Sequence, residues 1–555
     1  MGDDETARHP TGVTAGSARG VLVTLALAQF VMVLDQAVMN VSISQLVEDF
    51  DTEVTTIQAV ITLYSLVMAA LMITGGKCGD LWGRKRAFRL GLVVYACGSA
   101  LTAASWTVGT LALGWSILEG IGAALVMPAL AALVAGNFTG KARAGAYAVL
   151  GGVGGAGIAV GPILGGWVTT NLTWRLVFVG EVVLVAVILV LARSLEDAPV
   201  ERRPQLDLVG ALLSASGLTL IVLGALQSGT WGWVQPRNAP VEPFGFAPTL
   251  FVIAAGGALL YAFTRWQHRR ARTGRDPLVR LERLRIPALR SGLVMFLAQN
   301  TVLLGLFFIL PLYLQIVQGY DAFETGLRML PVSVTMLATS LLGARLAGRA
   351  GPRRVVRVGL VVILASCAGL LSVLEPQIDT TAFLVTMGVL GVGMGLIVSQ
   401  LGNVVQSSVG EDGRSEAGGL QNTALQLGAA LGTALIGAVV VGALASSFLA
   451  QVQDNPAVSD ATQAQVGIQL EAGVSFVSEP QARAAVTAAG LPPAEGDALV
   501  AAYADAQLAA LKGGVLLAAG IALLSFAGTS HLPGAGRDES DGAAPAGDGP
   551  APAVA

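Results

Sequence analysis

Residues 75–91 read GGKCGDLWGRKRAFRLG and place six charged side chains in seventeen positions of a chain that is 12% charged overall. Apolar runs flank them: residues 54–74 and 91–105 contain no Lys, Arg, Asp, Glu or His. A hydrocarbon core about 30 Å thick takes about 20 helical residues at about 1.5 Å each. The first run is long enough to cross a bilayer and the second nearly so, which makes the charged knot a short loop at a membrane surface.

The rest of the chain agrees with this reading. Of its 555 residues 54% are hydrophobic and the mean hydropathy is +0.69, with half the charge of an average soluble protein. The expected class is an all-α integral membrane protein, since barrel strands would be shorter and would alternate. The run 20–43 is too long for a cleaved signal and lacks a small-residue cleavage site, so it is expected to remain as a span. Further spans are expected near 54–75, 87–105, 107–133, 143–169, 174–192, 207–227 and 247–265. After the basic stretch 265–290 come 291–317, 325–347, 355–374, 380–407, 417–446 and 513–530, giving fourteen.

Basic residues collect in the cytoplasmic loops of membrane proteins. With the amino terminus inside, 28 of the 33 Lys and Arg fall on the cytoplasmic side, leaving Arg175, Arg237, Arg328, Arg483 and Lys512 outside. Outer loops are acidic, as at Glu48, Asp49, Asp51 and Glu53. A multi-pass plasma-membrane protein with both termini cytoplasmic is expected. Residues 447–511 form a long, Ala-rich, partly helical outer segment, and the tail from 533 has a disordered composition.

The opening stretch has a copy. GARLAGRAGPRRVVRVG, residues 343–359, aligns with 75–91 without a gap at an offset of 268, pairing Gly83 with Gly351, Lys85 with Arg353 and Arg89 with Arg357. Both copies lie between the second and third spans of a six-span group, the arrangement of transporters built from parallel repeats. The organisation that follows is a tail (1–19), an N-terminal six-helix bundle (20–195), two inserted helices with a basic linker (196–286), a C-terminal six-helix bundle (287–532) and a tail (533–555).

The pattern Gly76-x-x-x-Asp80-x-x-Gly83-Arg84-Lys85-Arg86 resembles the loop signature of the major facilitator superfamily. That resemblance implies a cytoplasmic gate in which the acid and the basic cluster latch the two bundles, with Asp80 facing the start of span thirteen near residues 415–417. A carboxylate beside a helix amino terminus is stabilised by the helix dipole. The second copy has Gly348 in place of the acid, and Leu81 departs from the family's usual basic residue. A loop serving orientation alone would explain the basic residues, but neither Asp80 nor the repeat.

Span five, GGVGGAGIAVGPILGG (151–166), sets Gly157, Gly161 and Gly165 four apart on one helix face beside Pro162 and Gly166. Such a face allows close helix packing, and proline bends the helix. Its order resembles the antiporter signature of proton-driven drug exporters. LDQAVMNVS (34–42), EGIGAALVMPA (119–129), TWRLVF (173–178) and LPLYLQIVQGYDAFETGLRMLP (310–331) extend the resemblance, in order, to the fourteen-span drug:proton antiporter family. It implies proton-gradient-driven export of a small amphipathic molecule, no cofactor, no nucleic-acid partner and a monomer in the lipid bilayer. One departure stands out: Ser116 replaces the family's arginine of span four, and Glu119 replaces its glutamine.

Three acids fall inside spans, where an ionised carboxylate costs at least about 3 kcal/mol. Asp35, Glu119 and Glu181 lie about 10, 18 and 10 Å from the outer ends of their spans. Spans one and four line the central cavity of this fold, so Asp35 and Glu119 are the better candidates for proton coupling or cation binding. Glu181, on the usually peripheral span six, is expected to hydrogen-bond a neighbouring helix. Gln36, Tyr64, Gln299, Asn300, Gln421, Asn422 and Gln426 are candidate substrate contacts. Cys78, Cys97 and Cys367, and His9, His268 and His531, make no disulfide, zinc or proton-relay pattern. No phosphate-binding G-x-x-x-x-G-K-[ST], H-E-x-x-H or G-x-S-x-G occurs, which argues against an ATP-driven pump or an enzyme. An exporter of an endogenous natural product, a lipid translocator, an importing symporter and a non-transporting sensor remain alternatives.

Overall fold

The computed structural model describes residues 15–138, 140–195, 197, 205–236, 238–410, 413–472 and 476–534. The expected disordered tail lies almost wholly outside the described residues. Fourteen long helices carry the described chain: α1 (Ala15–Val41), α2 (Val54–Trp82), α3 (Arg84–Ala103), α4 (Gly120–Asn137), α5 (Gly140–Asn171), α6 (Arg175–Leu191), α7 (Leu208–Trp231), α8 (Pro248–Arg272), α9 (Pro287–Leu312), α10 (Ala322–Ala350), α11 (Pro352–Val373), α12 (Thr380–Ser407), α13 (Arg414–Gln453) and α14 (Pro493–Gly528). Thirteen are long and apolar enough to cross a membrane by length and composition. The other is α3, whose first six residues hold Arg84, Lys85, Arg86 and Arg89 and whose remaining turns are apolar.

Spans thirteen and fourteen exceed expectation. At about 1.5 Å per residue, the 40 residues of α13 and 36 of α14 outrun a bilayer core by several turns. Residues 447–453 and 493–511 are therefore continuations of these two helices, and short helices at Asp460–Ala472 and Glu479–Ala488 lie between them. Val452, Val458, Leu499 and Ala502 close a small apolar core there, and at the surface Arg483 pairs with Glu479 on its own helix and with Asp497 of α14.

The inserted helices pack on each other, and α7 lies over the seam between α2 and α13. Leu66, Val222, Ala225, Ala430 and Ala434 bury one another along that seam. Asp207 anchors the pair: its carboxylate accepts from Gly210 N, Trp266 Nε1 and Gln267 Nε2 at 2.9, 2.9 and 2.7 Å, and Arg270 stands 3.6 Å away.

The two bundles meet on one side of the membrane. The face holding the loops at 83 and 351 is called here the basic face. Near the opposite face, Gln58 Nε2 donates to Thr433 O (2.7 Å), Gln315 Nε2 to Val41 O (2.9 Å) and Phe323 N to Thr170 Oγ1 (3.2 Å). In mid-membrane Ser333 Oγ donates to Ile158 O (3.2 Å) and Gln36 Nε2 to Gln426 Oε1 (3.4 Å). A side chain at Gly166 would strike the Ala322 carbonyl, whereas Gly151 and Gly152, nearer the basic face on the same helix, have open space beside them. The bundles are sealed at the opposite face and parted toward the basic one.

Candidate coupling site and gate

Asp35 of α1, Glu119 at the entry to α4 and Glu181 of α6 come together. One carboxylate oxygen from each lies within 4.8 Å of the other two, and the residues are 0%, 0% and 2% exposed. Glu181 does hydrogen-bond a neighbouring helix, as expected, but it is not peripheral: it completes the group. Span four explains the convergence. After one α-helical turn, Val108–Leu111, it winds as a π-helix, Ala112–Glu119, a wider winding that recurs at functional sites. Gly98 of α3 lets it approach, since a side chain there would stand 2.6 Å from Glu119 Cγ.

Neutral donors hold the acids. Trp115 Nε1 donates to Asp35 Oδ1 (2.7 Å), Thr102 Oγ1 to Glu119 Oε1 (3.0 Å), and Tyr95 OH and Ser99 Oγ to Glu181 Oε2 (3.2 and 3.3 Å). Tyr64 stacks on the Trp115 ring, centroids 4.7 Å apart. None of these partners is cationic. Ser116 donates to Val60 O (2.8 Å), tying α2 to the π-helix. Among the described residues Asp35 Oδ2, Glu119 Oε2 and Glu181 Oε1 have no hydrogen-bond partner. Sequence reasoning missed Trp115, Tyr95, Ser99 and Thr102. The last three recur at helical spacing on α3, a polar stripe in an apolar span, and that was the available signal.

The glycines of span five pack as their spacing predicts, and against α1. Side chains at Gly157, Gly161 and Gly165 would collide with Val33, Ala37 and Val38, which bracket Asp35. Pro162 and Gly166 instead face α10. Among the other candidates, Asn300 Nδ2 donates to Leu425 O (2.6 Å), while Gln299 Oε1 and Gln421 Oε1 are buried without partners.

At the loop, Gly83 has φ +95°, a left-handed conformation that suits glycine, and so does Gly351 at +75°. Gly76 packs on Pro128. Asp80 pairs with Arg84 one turn away at 3.8 Å, and Arg84 reaches Ala132 O at 3.4 Å. The start of α13 is occupied differently: Glu416 is bound by Arg283 of the linker and by Arg280 N. The side chain of residue 415 lies outside the described ones. Lys85 N donates to Asp197 Oδ1 (3.1 Å), Lys85 Nζ to Arg193 O (2.8 Å), and Arg86 is exposed. At the opposite face Asp49 accepts from Trp174 Nε1 (2.7 Å) and Arg175 (2.8 Å). Partial burial works against its charge, but these donors and Gln45 outweigh it and hold the carboxyl below its ordinary range.

Known proteins bear on these features. The chain is 33% identical over 442 residues to the puromycin resistance protein pur8 of Streptomyces alboniger, covering 79% of this chain and 84% of that one. It is 30% identical over 470 residues to a probable actinorhodin transporter of Streptomyces coelicolor, covering 81% and 78%. A bacterial homolog of the human lysosomal transporter Spinster, solved inward-facing and unoccupied, shares the fold at a TM-score of 0.60 and 16% identity over 94% of this chain and 98% of that one. The Major Facilitator Superfamily description matches residues 25–433. With that match over most of its length, two helical bundles and the paired loops at 83 and 351, the chain belongs to the Major Facilitator Superfamily.

Proposed function

We propose that this chain exports amphipathic organic compounds, antibiotics among them, in exchange for protons, by alternating access between the two bundles. The observation that carries the reading is the buried carboxylate triad. At an effective dielectric of about 20, two charges 4.8 Å apart repel by about 3 to 4 kcal/mol. Three ionised acids without a cationic partner are untenable there, so protons neutralise the group. A proton between two carboxylates also satisfies two of the orphaned oxygens at once. Water reaching the triad from one side releases a proton, and closure on that side restores the need for it. One charge crossing 100 mV supplies about 2.3 kcal/mol, enough for a roughly 40-fold substrate gradient.

The basic face is cytoplasmic under the positive-inside rule, with both termini on it, in the plasma membrane. The parted bundles are then open to the cytoplasm, where substrate enters between them past Gln36, Gln299, Asn300, Gln421, Asn422 and Gln426. Asp80, Gly83 and Arg84 close that side in the other half of the cycle. The chain works as a monomer with no cofactor beyond the proton gradient. Trp115 supplies to Asp35 the donor that an arginine would give at Ser116, without adding charge. Export by everted vesicles under an imposed pH gradient tests the reading: export that persists in Asp35→Asn with unchanged pH dependence overturns it. The antibiotic-specific names of the Streptomyces relatives favour a second reading, a dedicated exporter of one natural product. A resistance profile confined to one compound class would select it.

A further inference from the structure

A groove of about 650 Å³ opens on the basic face between α3 and α6, away from the triad and the seam between the bundles. Lys85, Arg86, Arg89 and Arg193 line it. Arg86, Arg89 and Arg193 make no described side-chain hydrogen bond or ion pair. The repeat shows that this is not forced on the position: Arg357, the counterpart of Arg89, donates from Nε to Thr529 Oγ1 at 2.9 Å. Asp197, the acid in the groove, is engaged by the start of α3 through Lys85 N. Below the cations the wall turns apolar. Leu90, Val93 and Val190 are 43%, 46% and 58% exposed, as side chains facing hydrocarbon should be in a spanning bundle.

Cations left unpaired among the described residues, above a lipid-facing apolar wall, match one occupant, a molecule with an anionic head and apolar tails. We propose that this groove binds an anionic phospholipid, its phosphate diester among Arg86, Arg89 and Arg193 and its acyl chains along Leu90, Val93 and Val190. Basic residues at a membrane surface attract such lipids, and pockets between spans concentrate the effect. A free phosphate would use the arginines and leave the apolar wall without a role. Because Lys85 and Arg86 belong to the gate loop, the lipid sits directly beside the element expected to latch the bundles.

Binding by the purified full-length chain decides it, with thermal stability followed during titration with phosphatidylglycerol, phosphatidylcholine or inorganic phosphate. Phosphatidylglycerol is expected to raise the melting temperature and the other two are not. Arg89→Gln with Arg193→Gln should weaken phosphatidylglycerol binding on the order of tenfold, whereas Arg272→Gln, an exposed arginine elsewhere on this face, should leave it unchanged. Native mass spectrometry of Arg193→Gln alone, with fewer retained anionic lipids than wild type, provides a milder variant should the double one fold poorly. Equal response to both lipids, reproduction of the shift by inorganic phosphate, or wild-type affinity and lipid retention in these variants overturns the proposal.

Discussion

The two bundles share a loop and differ at their centres. Gly83 and Gly351 take the same left-handed turn, and the helix after each is capped from the segment behind the sixth span of its own bundle, by Asp197 Oδ1 on Lys85 N and by Pro533 O on Arg353 N (both 3.1 Å). Carried inward at the offset of 268, the correspondence breaks. Opposite Asp35, Tyr95, Ser99, Thr102 and Glu119 stand Leu303, Ile363, Cys367, Leu370 and Met387, all buried in apolar packing. A duplicated frame thus carries a polar centre of three buried acids in one half and an ordinary core in the other. Scaffold and polar chemistry are separable here: the same helical frame tolerates three acids in one half and none at the matching positions of the other.

The sharpest way to break this comparison is to neutralise the polar centre. Asp35→Asn should lower proton-driven export by about 100-fold or more, on the scale of a lost proton-transfer group, with membrane insertion intact. Glu119→Gln and Glu181→Gln should follow, and export by Glu181→Gln at the wild-type rate and pH dependence would reduce the triad to a pair. The converse experiment puts an acid in the silent half. Met387→Glu meets no ring of hydroxyl and indole donors and should destabilise the protein by about 3 kcal/mol, read as a loss of folded protein in detergent melts.

Smaller effects test the shared frame. Gly83→Ala and Gly351→Ala should each cost about 1 to 2 kcal/mol for a left-handed alanine. Gly83→Ala should cost more, because its methyl would also meet Asp197 Oδ2. Asp197→Ala removes a helix cap and should cost about 1 kcal/mol, whereas Pro533→Ala keeps the carbonyl and should cost less; chemical denaturation compares them. The smallest effect belongs to Arg175 and Asp49. Because the folded state depresses the Asp49 carboxyl, their contribution, about 1 kcal/mol or less, is fully present above the ordinary carboxylate range and lost as pH falls through the lowered folded-state value. Arg175→Gln should therefore lower the melting temperature near neutrality and make progressively less difference as the medium is acidified below the ordinary carboxylate range.

Much of this molecule was legible in one dimension. Long uncharged runs marked the spans, basic residues sorted their ends, the repeat declared two bundles, and acids stood out because hydrocarbon tolerates few. The reading erred where rotation about a helix axis matters. A hydropathy run gives a residue's depth but not its azimuth, which turns by about 100° per residue and is settled by what each helix packs against. Glu181 looked peripheral because span six usually is, and its azimuth on that span turns it inward. The π-helix before Glu119 compounds it, since a wider turn rotates every later side chain and leaves no mark in composition. Packing likewise placed α7 over the seam between α2 and α13, with α8 against α7, and let α13 and α14 run on past the length of a bilayer core. The sequence by itself determined that the chain crosses the membrane about fourteen times as a duplicated bundle with acids inside. Only the tertiary structure decided that three of those acids meet, because contact between helices depends on facing side chains that no single run of sequence contains.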